Sequence, residues 1–126
     1  MAYTTSINFG FDQLIGGTEP TALLKVITVA SGQGILKRGS VLGVVTDSGK
    51  GKLVDSASTD GSETAKYVLA KEIDTTEGDV DIDCYMSGMF NREYLTVGGS
   101  DEIADHEEAL RGLNIYLTSE KYHKEG

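Results

Sequence analysis

The sequence has no tryptophan, a single cysteine (Cys84), a single proline (Pro20) and two histidines. One cysteine forms no internal disulfide, so the fold owes nothing to an oxidising compartment. Basic residues are scarce: 11 Lys and Arg stand against 20 Asp and Glu, a formal net charge of −9. Nucleic-acid binding needs clustered Lys and Arg to displace counterions from phosphates, and an anionic membrane surface needs the same charge, so both are argued against. What remains is solubility, or docking onto a basic or neutral protein surface. No run approaches the roughly 18 apolar residues of a membrane span. The N-terminus has no basic start followed by an apolar stretch, so no signal peptide is expected and the chain is read as a soluble product of a cytoplasm.

What is present is glycine, 16 of 126 residues, with a hydrophobic share of 39%. Glycine without proline points to many tight turns and a β-rich chain rather than a helical bundle. A chain of this length forms one domain and hides roughly two-thirds of its unfolded surface, enough for a core without staples.

The opening stretch, MAYTTSINFGF, alternates. Tyr3, Thr5, Ile7, Phe9 and Phe11 are large, apolar or β-branched, and Thr4, Ser6, Asn8 and Gly10 between them are small or polar. Period two is the signature of a strand with one buried face. Residues 1–22 contain no Lys or Arg and close in the turn-rich GGTEPT, so they are read as an extended arm (1–22) joined to one β-rich domain (23–126). The residues leave two roles open: a first strand paired within the domain, or a strand added to the sheet edge of another protein.

In the body, Leu24, Val26 and Thr28 alternate with Lys25, Ile27 and Val29, which predicts a strand buried on both sides. Gly-flanked turns at Ser31–Gly34 and Lys37–Ser40 bracket the runs Ile35–Leu36 and Val41–Thr46. DSGKGK then reads as a hairpin turn, KLVDS as the returning strand, and Asp60-Gly61 as a turn dipeptide. AKYVLAKEI is expected to be one strand. DVDIDCYM is expected to turn Val80, Ile82, Cys84 and Met86 inward and Asp79, Asp81, Asp83 and Tyr85 outward, with Phe90 and Leu95 in the core beyond it. Only SDEIADHEEALRGL reads as a helix, with Ser100 as N-cap, Ile103, Leu110 and Leu113 near one face, and Gly112 as the left-handed C-terminal residue. NIYLT closes the domain as a strand, and SEKYHKEG is a polar tail.

Chemical signals are weak. Gly34–Ser40 has the outer spacing of a phosphate loop without the Lys before the Ser, and Gly32 and Gly34 lack the third glycine of a dinucleotide fingerprint; both read as turns. Asp79, Asp81 and Asp83 offer oxygen ligands, but residues two apart on a strand lie about 7 Å from each other, so they read as a solvated, edge-protecting face rather than a metal site. His106, among acids, is expected to be exposed, and neither it nor His123 has a ligand at zinc spacing. Cys84, on the inward face, reads as inert packing. No catalytic, cofactor or metal residues are expected, and the chain is not read as an enzyme.

From Leu24 to Leu117 the sequence resembles the lambda-type head decoration proteins of tailed bacteriophages. The residues carrying this are LKVITVASGQGILKRGSVLGVVT, then GKLVDSASTDGSETAKYVLAKEID, then SGMFNREYL and ALRGLNIYL, in that order; GSVLG and DGSETA are the more specific pieces. The resemblance implies a mostly β, β-clip or open-barrel-like domain with one late short helix and no active site. It implies a homotrimer on the outer surface of the expanded capsid at three-fold and quasi-three-fold positions. There it clamps the major capsid protein against the pressure of packaged DNA, after synthesis in the host bacterial cytoplasm. The family's N-terminal arm adds a strand to a capsid-protein sheet, which places Tyr3, Thr5, Ile7, Phe9 and Phe11 at the shell. The lambda arm is richer in Pro and small residues, so this one is expected to grip more tightly or to be ordered before binding.

Three rivals remain. A biotinyl- or lipoyl-type carrier domain would put a modified Lys at a hairpin tip, and here only Lys50 of DSGKGK sits at such a place. A nucleotide-hydrolysing β trimer needs acids and phosphate-binding Gly and Ser motifs that are incomplete here. A tail or fibre component would share the trimer but not the capsid binding.

Overall fold

The computed structural model describes residues 14–118, Thr18 excepted. Among them, nine strands appear: β1 (Ile15–Gly17), β2 (Leu23–Val29), β3 (Ile35–Leu36), β4 (Val41–Val44), β5 (Gly51–Leu53), β6 (Tyr67–Leu69), β7 (Ile73–Asp74), β8 (Val80–Phe90) and β9 (Ile115–Leu117). One helix, α1 (Glu107–Arg111), follows a 3-10 turn at Ile103–His106. The protein is mostly β with one short helix, as the sequence predicts.

Hydrogen-bonded neighbours run β8–β2–β5–β4–β6, and β6 returns to β8, closing a small barrel-like ring. β8 is the long member, 11 residues, and its last three residues outrun the ring. There β1 pairs with it antiparallel and β9 parallel. β3 and β7 form a separate two-stranded ribbon.

Alternation on the ring strands sorts apolar side chains into two cores. Leu42, Leu69 and Cys84 join Ile27, Val29, Leu36 and Ile73 on the inner face. Val41, Val68 and Phe90 point the other way, where Leu14, Val54, Ala65, Leu110, Ile115 and Leu117 cover them. Strands that feed two cores must be apolar at consecutive positions, which explains VL at 41–42 and VL at 68–69.

The structure corrects several expectations. β2 is not buried on both sides: Ile27 and Val29 are, at 8% and 0% exposure, but Leu23, Leu24 and Val26 are 52%, 52% and 62% exposed, because no described element covers them. Met86 is exposed rather than inward. Leu23 opposes Ser87 and Leu24 opposes Tyr85, so Met86 is the extra residue of a β-bulge and leaves the alternation. Tyr85, expected outside, packs against the outer core with its ring 5.1 Å from that of Phe90. AKYVLAKEI divides after Leu69: β6 stays in the ring and β7 crosses to β3.

The helical segment begins at a capping box formed by Glu102 and Asp105 rather than at Ser100. Gly112 keeps right-handed helical angles, and the left-handed residue is Asn114, φ 69°. Leu113 is therefore exposed while Leu110 is fully buried.

Candidate functional site

The arm residues Tyr3, Thr5, Ile7, Phe9 and Phe11, and His123 in the tail, lie outside the described residues. What is described is the root of the arm. Ile15 opposes Phe90 and Gly17 opposes Met89, so the last part of residues 1–22 is fastened to β8. Leu14 is 3% exposed in the outer core, and its carbonyl accepts a hydrogen bond from the Asn91 amide at 2.7 Å. On the other flank, β9 aligns Leu117 with Phe90, and the Thr118 amide donates to the Phe90 carbonyl at 2.9 Å. A Cβ on Gly16 would stand 2.7 Å from the Thr118 methyl, so glycine allows β1 and the end of β9 to approach this closely.

Arg92 stitches the same place. Its Nε donates to the Thr118 carbonyl at 3.0 Å, and its two terminal nitrogens reach both Glu107 carboxylate oxygens at 3.0 Å each. The fork is bidentate and four-fifths buried, the geometry in which an Arg–carboxylate pair holds position best. Both ends of the described chain thus leave the domain side by side, at one rigid pole built from β1, β8, β9 and α1.

Away from that pole, β2 presents its open edge. It pairs with β8 from Leu23 to Val29, but with β5 only at Val29, opposite Gly51. Leu23, Leu24 and Val26 lie on this stretch. Nearby, Met86, Tyr67, Lys66 and Leu113 line a groove of about 210 Å³.

The remaining candidates carry structure. Ser40 Oγ donates to the Lys37 carbonyl at 2.7 Å, and the Ser40 amide reaches the same oxygen at 3.0 Å, so Gly34–Ser40 ends in a closed turn. The Gly34 carbonyl accepts from Thr75, through its amide and hydroxyl, and the Gly32 amide donates to the Thr75 carbonyl. Asp79 pairs with Lys50 at 2.6 Å and accepts from the Ser31 amide; these hydrogen bonds, Lys50 first, hold its carboxyl below the usual range. Asp81 accepts from the Thr28 hydroxyl at 2.6 Å. Asp79 and Asp81 thus bond to separate partners, and among the described residues no three His, Cys, Asp or Glu gather to hold a metal. Lys50, the carrier candidate, is the partner of Asp79. A larger open groove of about 420 Å³ contains Glu63 and Lys66, but Glu63 accepts the Gly61 amide.

Cys84 is fully buried, and desolvation followed by the charge of Asp83 pushes its thiol up to about 12. It packs in the inner core. His106 is the largest departure from expectation: it is 4% exposed, with Nε2 2.7 Å from Asp101 Oδ2. Asp101 also accepts from the Ser56 amide and hydroxyl, at 2.8 and 2.6 Å. The Ser56 hydroxyl, then His106, then the Ser56 amide hold its carboxyl down to about 2. This clasp ties the loop after Val54 to the helical segment. Nothing in the sequence marks it, since Asp101 and Ser56 are 45 residues apart.

A family model described as bacteriophage lambda head decoration protein D matches residues 4–116. The chain belongs to this family. Its members are structural components of the phage head, and the decoration protein described here is accordingly a capsid-associated virion component. The match begins inside the alternating arm and ends within β9, so it takes in β1, α1 and every ring strand. Comparison with curated protein sequences finds no match.

Proposed function

We propose that this decoration protein binds as a homotrimer to the outer surface of the expanded capsid, at three-fold and quasi-three-fold positions. There it clamps neighbouring major capsid subunits and offsets the pressure of packaged DNA. The capsid contact is the arm: Tyr3, Thr5, Ile7, Phe9 and Phe11 enter pockets while the arm backbone adds a strand to a capsid-protein sheet. The proposed arm keeps residues 1–22, with Leu14–Gly17 as its fixed root. No catalysis, cofactor, nucleic acid or membrane is part of this role.

The observation that supports it best is the pole. A strand that must pull on a shell needs an anchor that does not give, and Leu14 is fixed by burial, by Asn91 and by pairing with β8. Ordering the free part of the arm costs conformational entropy, which several arms on one trimer offset through effective concentration.

The test is co-sedimentation with expanded and unexpanded capsids, using the full chain and a chain beginning at Gln13, which retains the whole root. Saturable binding to expanded shells only, lost without the first twelve residues, is the expected result. Binding to neither shell by a folded full-length trimer would overturn the reading and favour a tail component.

A further inference from the structure

β1 is a weak anchor taken alone. It has three residues, and its register against β8 slips between Ile15, opposite Phe90, and Gly17, opposite Met89. Pairing this short is marginal without support from elsewhere. The support comes from the turn that follows β8.

Two successive amides in that turn serve the two ends of the described chain. The Asn91 amide donates to the Leu14 carbonyl at 2.7 Å, and the Arg92 amide to the Thr118 hydroxyl oxygen at 3.2 Å. Arg92 Nε donates to the Thr118 carbonyl at 3.0 Å, and the Thr118 amide donates to the Phe90 carbonyl. Thr118 thus commits its amide, carbonyl and hydroxyl oxygen to Phe90 and Arg92, while its methyl stands against Gly16 of β1. Arg92 touches the root of the arm through Thr118.

Arg92 is itself held from behind. Its terminal nitrogens close on both Glu107 oxygens at 3.0 Å each, with the two side chains 20% and 22% exposed. Glu107 directly follows His106, whose Nε2 lies 2.7 Å from Asp101 Oδ2, so the start of α1 is pinned independently of Arg92. A lysine, a single point charge on a flexible stem, could not grip Glu107 as a fork and Thr118 at once.

We infer that Arg92 is a positioning residue for capsid binding. Gripped by Glu107, it holds Thr118 against Gly16 and so fixes where, and in which direction, the residues before Leu14 leave the domain. The inference rests on the proposed function, in which arm and domain are two linked contacts with one shell. The effective concentration of the arm at its sheet then depends on the stiffness of the link. A loose root spreads the arm over directions that miss the sheet, on every subunit that binds.

Two full-length variants approach the contact from opposite sides. Arg92→Lys keeps the charge and loses the fork; Thr118→Ser keeps the hydroxyl for Arg92 and removes only the methyl facing Gly16. In Arg92→Lys the Asn91 amide, which holds Leu14, should exchange about tenfold faster than in the parent, and affinity for expanded capsids should fall about tenfold. The Lys66 and Leu69 amides, which donate within the ring to Leu42 and Ser40, should exchange as in the parent. Thr118→Ser should shift the same two quantities in the same direction by less. Ring amides that loosen together with Asn91 would show a general loss of stability and overturn the inference. So would a looser root with parental capsid affinity, or an unchanged Asn91 amide in either folded variant. If the parent itself ignores expanded capsids, the capsid reading falls, and exchange alone decides whether Arg92 fixes the root: selective loosening at Asn91 upholds it and unchanged exchange ends it.

Discussion

Val26 and Val29 are the same residue on the same strand, three positions apart. One is 62% exposed and the other fully buried. Composition and propensity are alike along β2, so neither explains the difference. Val29 stands where β5 closes the ring opposite Gly51, and the ribbon of β3 and β7 contributes Leu36 and Ile73 to the core it enters. Val26 stands where β2 has left β5 and, among the described residues, only β8 accompanies it. An apolar strand residue is buried by what lies beyond its own strand, and half of β2 has no described element there. In this decoration protein that half stays exposed among the described residues.

The sharpest way to break the comparison is to charge both positions. Val29→Asp places an unpaired carboxylate in the inner core and should cost several kcal/mol, enough to unfold the domain, seen as lost cooperative melting. Phe90→Ala removes the largest fully buried side chain, the one that β1, β8 and β9 share, and should cost about 3–5 kcal/mol in a denaturant titration.

His106→Ala leaves Asp101 short of a buried partner and should cost about 1–3 kcal/mol. The pH profile tests the same clasp. Asp101 is more acidic folded than unfolded, so its contribution is complete above the ordinary carboxylate range, roughly pH 4, and is lost as pH falls towards about 2. Melting temperatures of the parent and of Asp101→Asn should therefore converge across that window, and parallel curves would show that Asp101 is not held as described.

The smallest effect belongs to Val26→Asp. Folding stability of the subunit should change by less than about 0.5 kcal/mol, because little is uncovered or buried. A large loss of stability there would erase the distinction between the two halves of β2.

Strand alternation was legible where a strand keeps one phase against its partner, as in Val80–Cys84 against β2, or where turns bracket short runs, as around Ile35–Leu36. It failed where the backbone leaves phase. Met86 reads as inward because nothing in DVDIDCYMSG announces that the bulge falls on it rather than on Gly88. His106 reads as exposed because its neighbours in the chain are acids, whereas its environment is made by Ser56 and Asp101 folding over it. The root of the arm was not legible: GGTEPT reads as a hinge, whereas Gly16 and Gly17 belong to β1, and that Leu14 belongs to the core depends on Phe90, 76 positions away.

By itself the sequence determined the β-rich class, the turns, the family and the single helical segment. These follow from local backbone preferences and from an apolar pattern that each residue carries with it. Tertiary structure alone decided which apolar residues are hidden, where the arm is fastened and which polar groups are clasped inside. Burial and hydrogen bonding are properties of pairs, and the decisive partners here lie far apart in the chain.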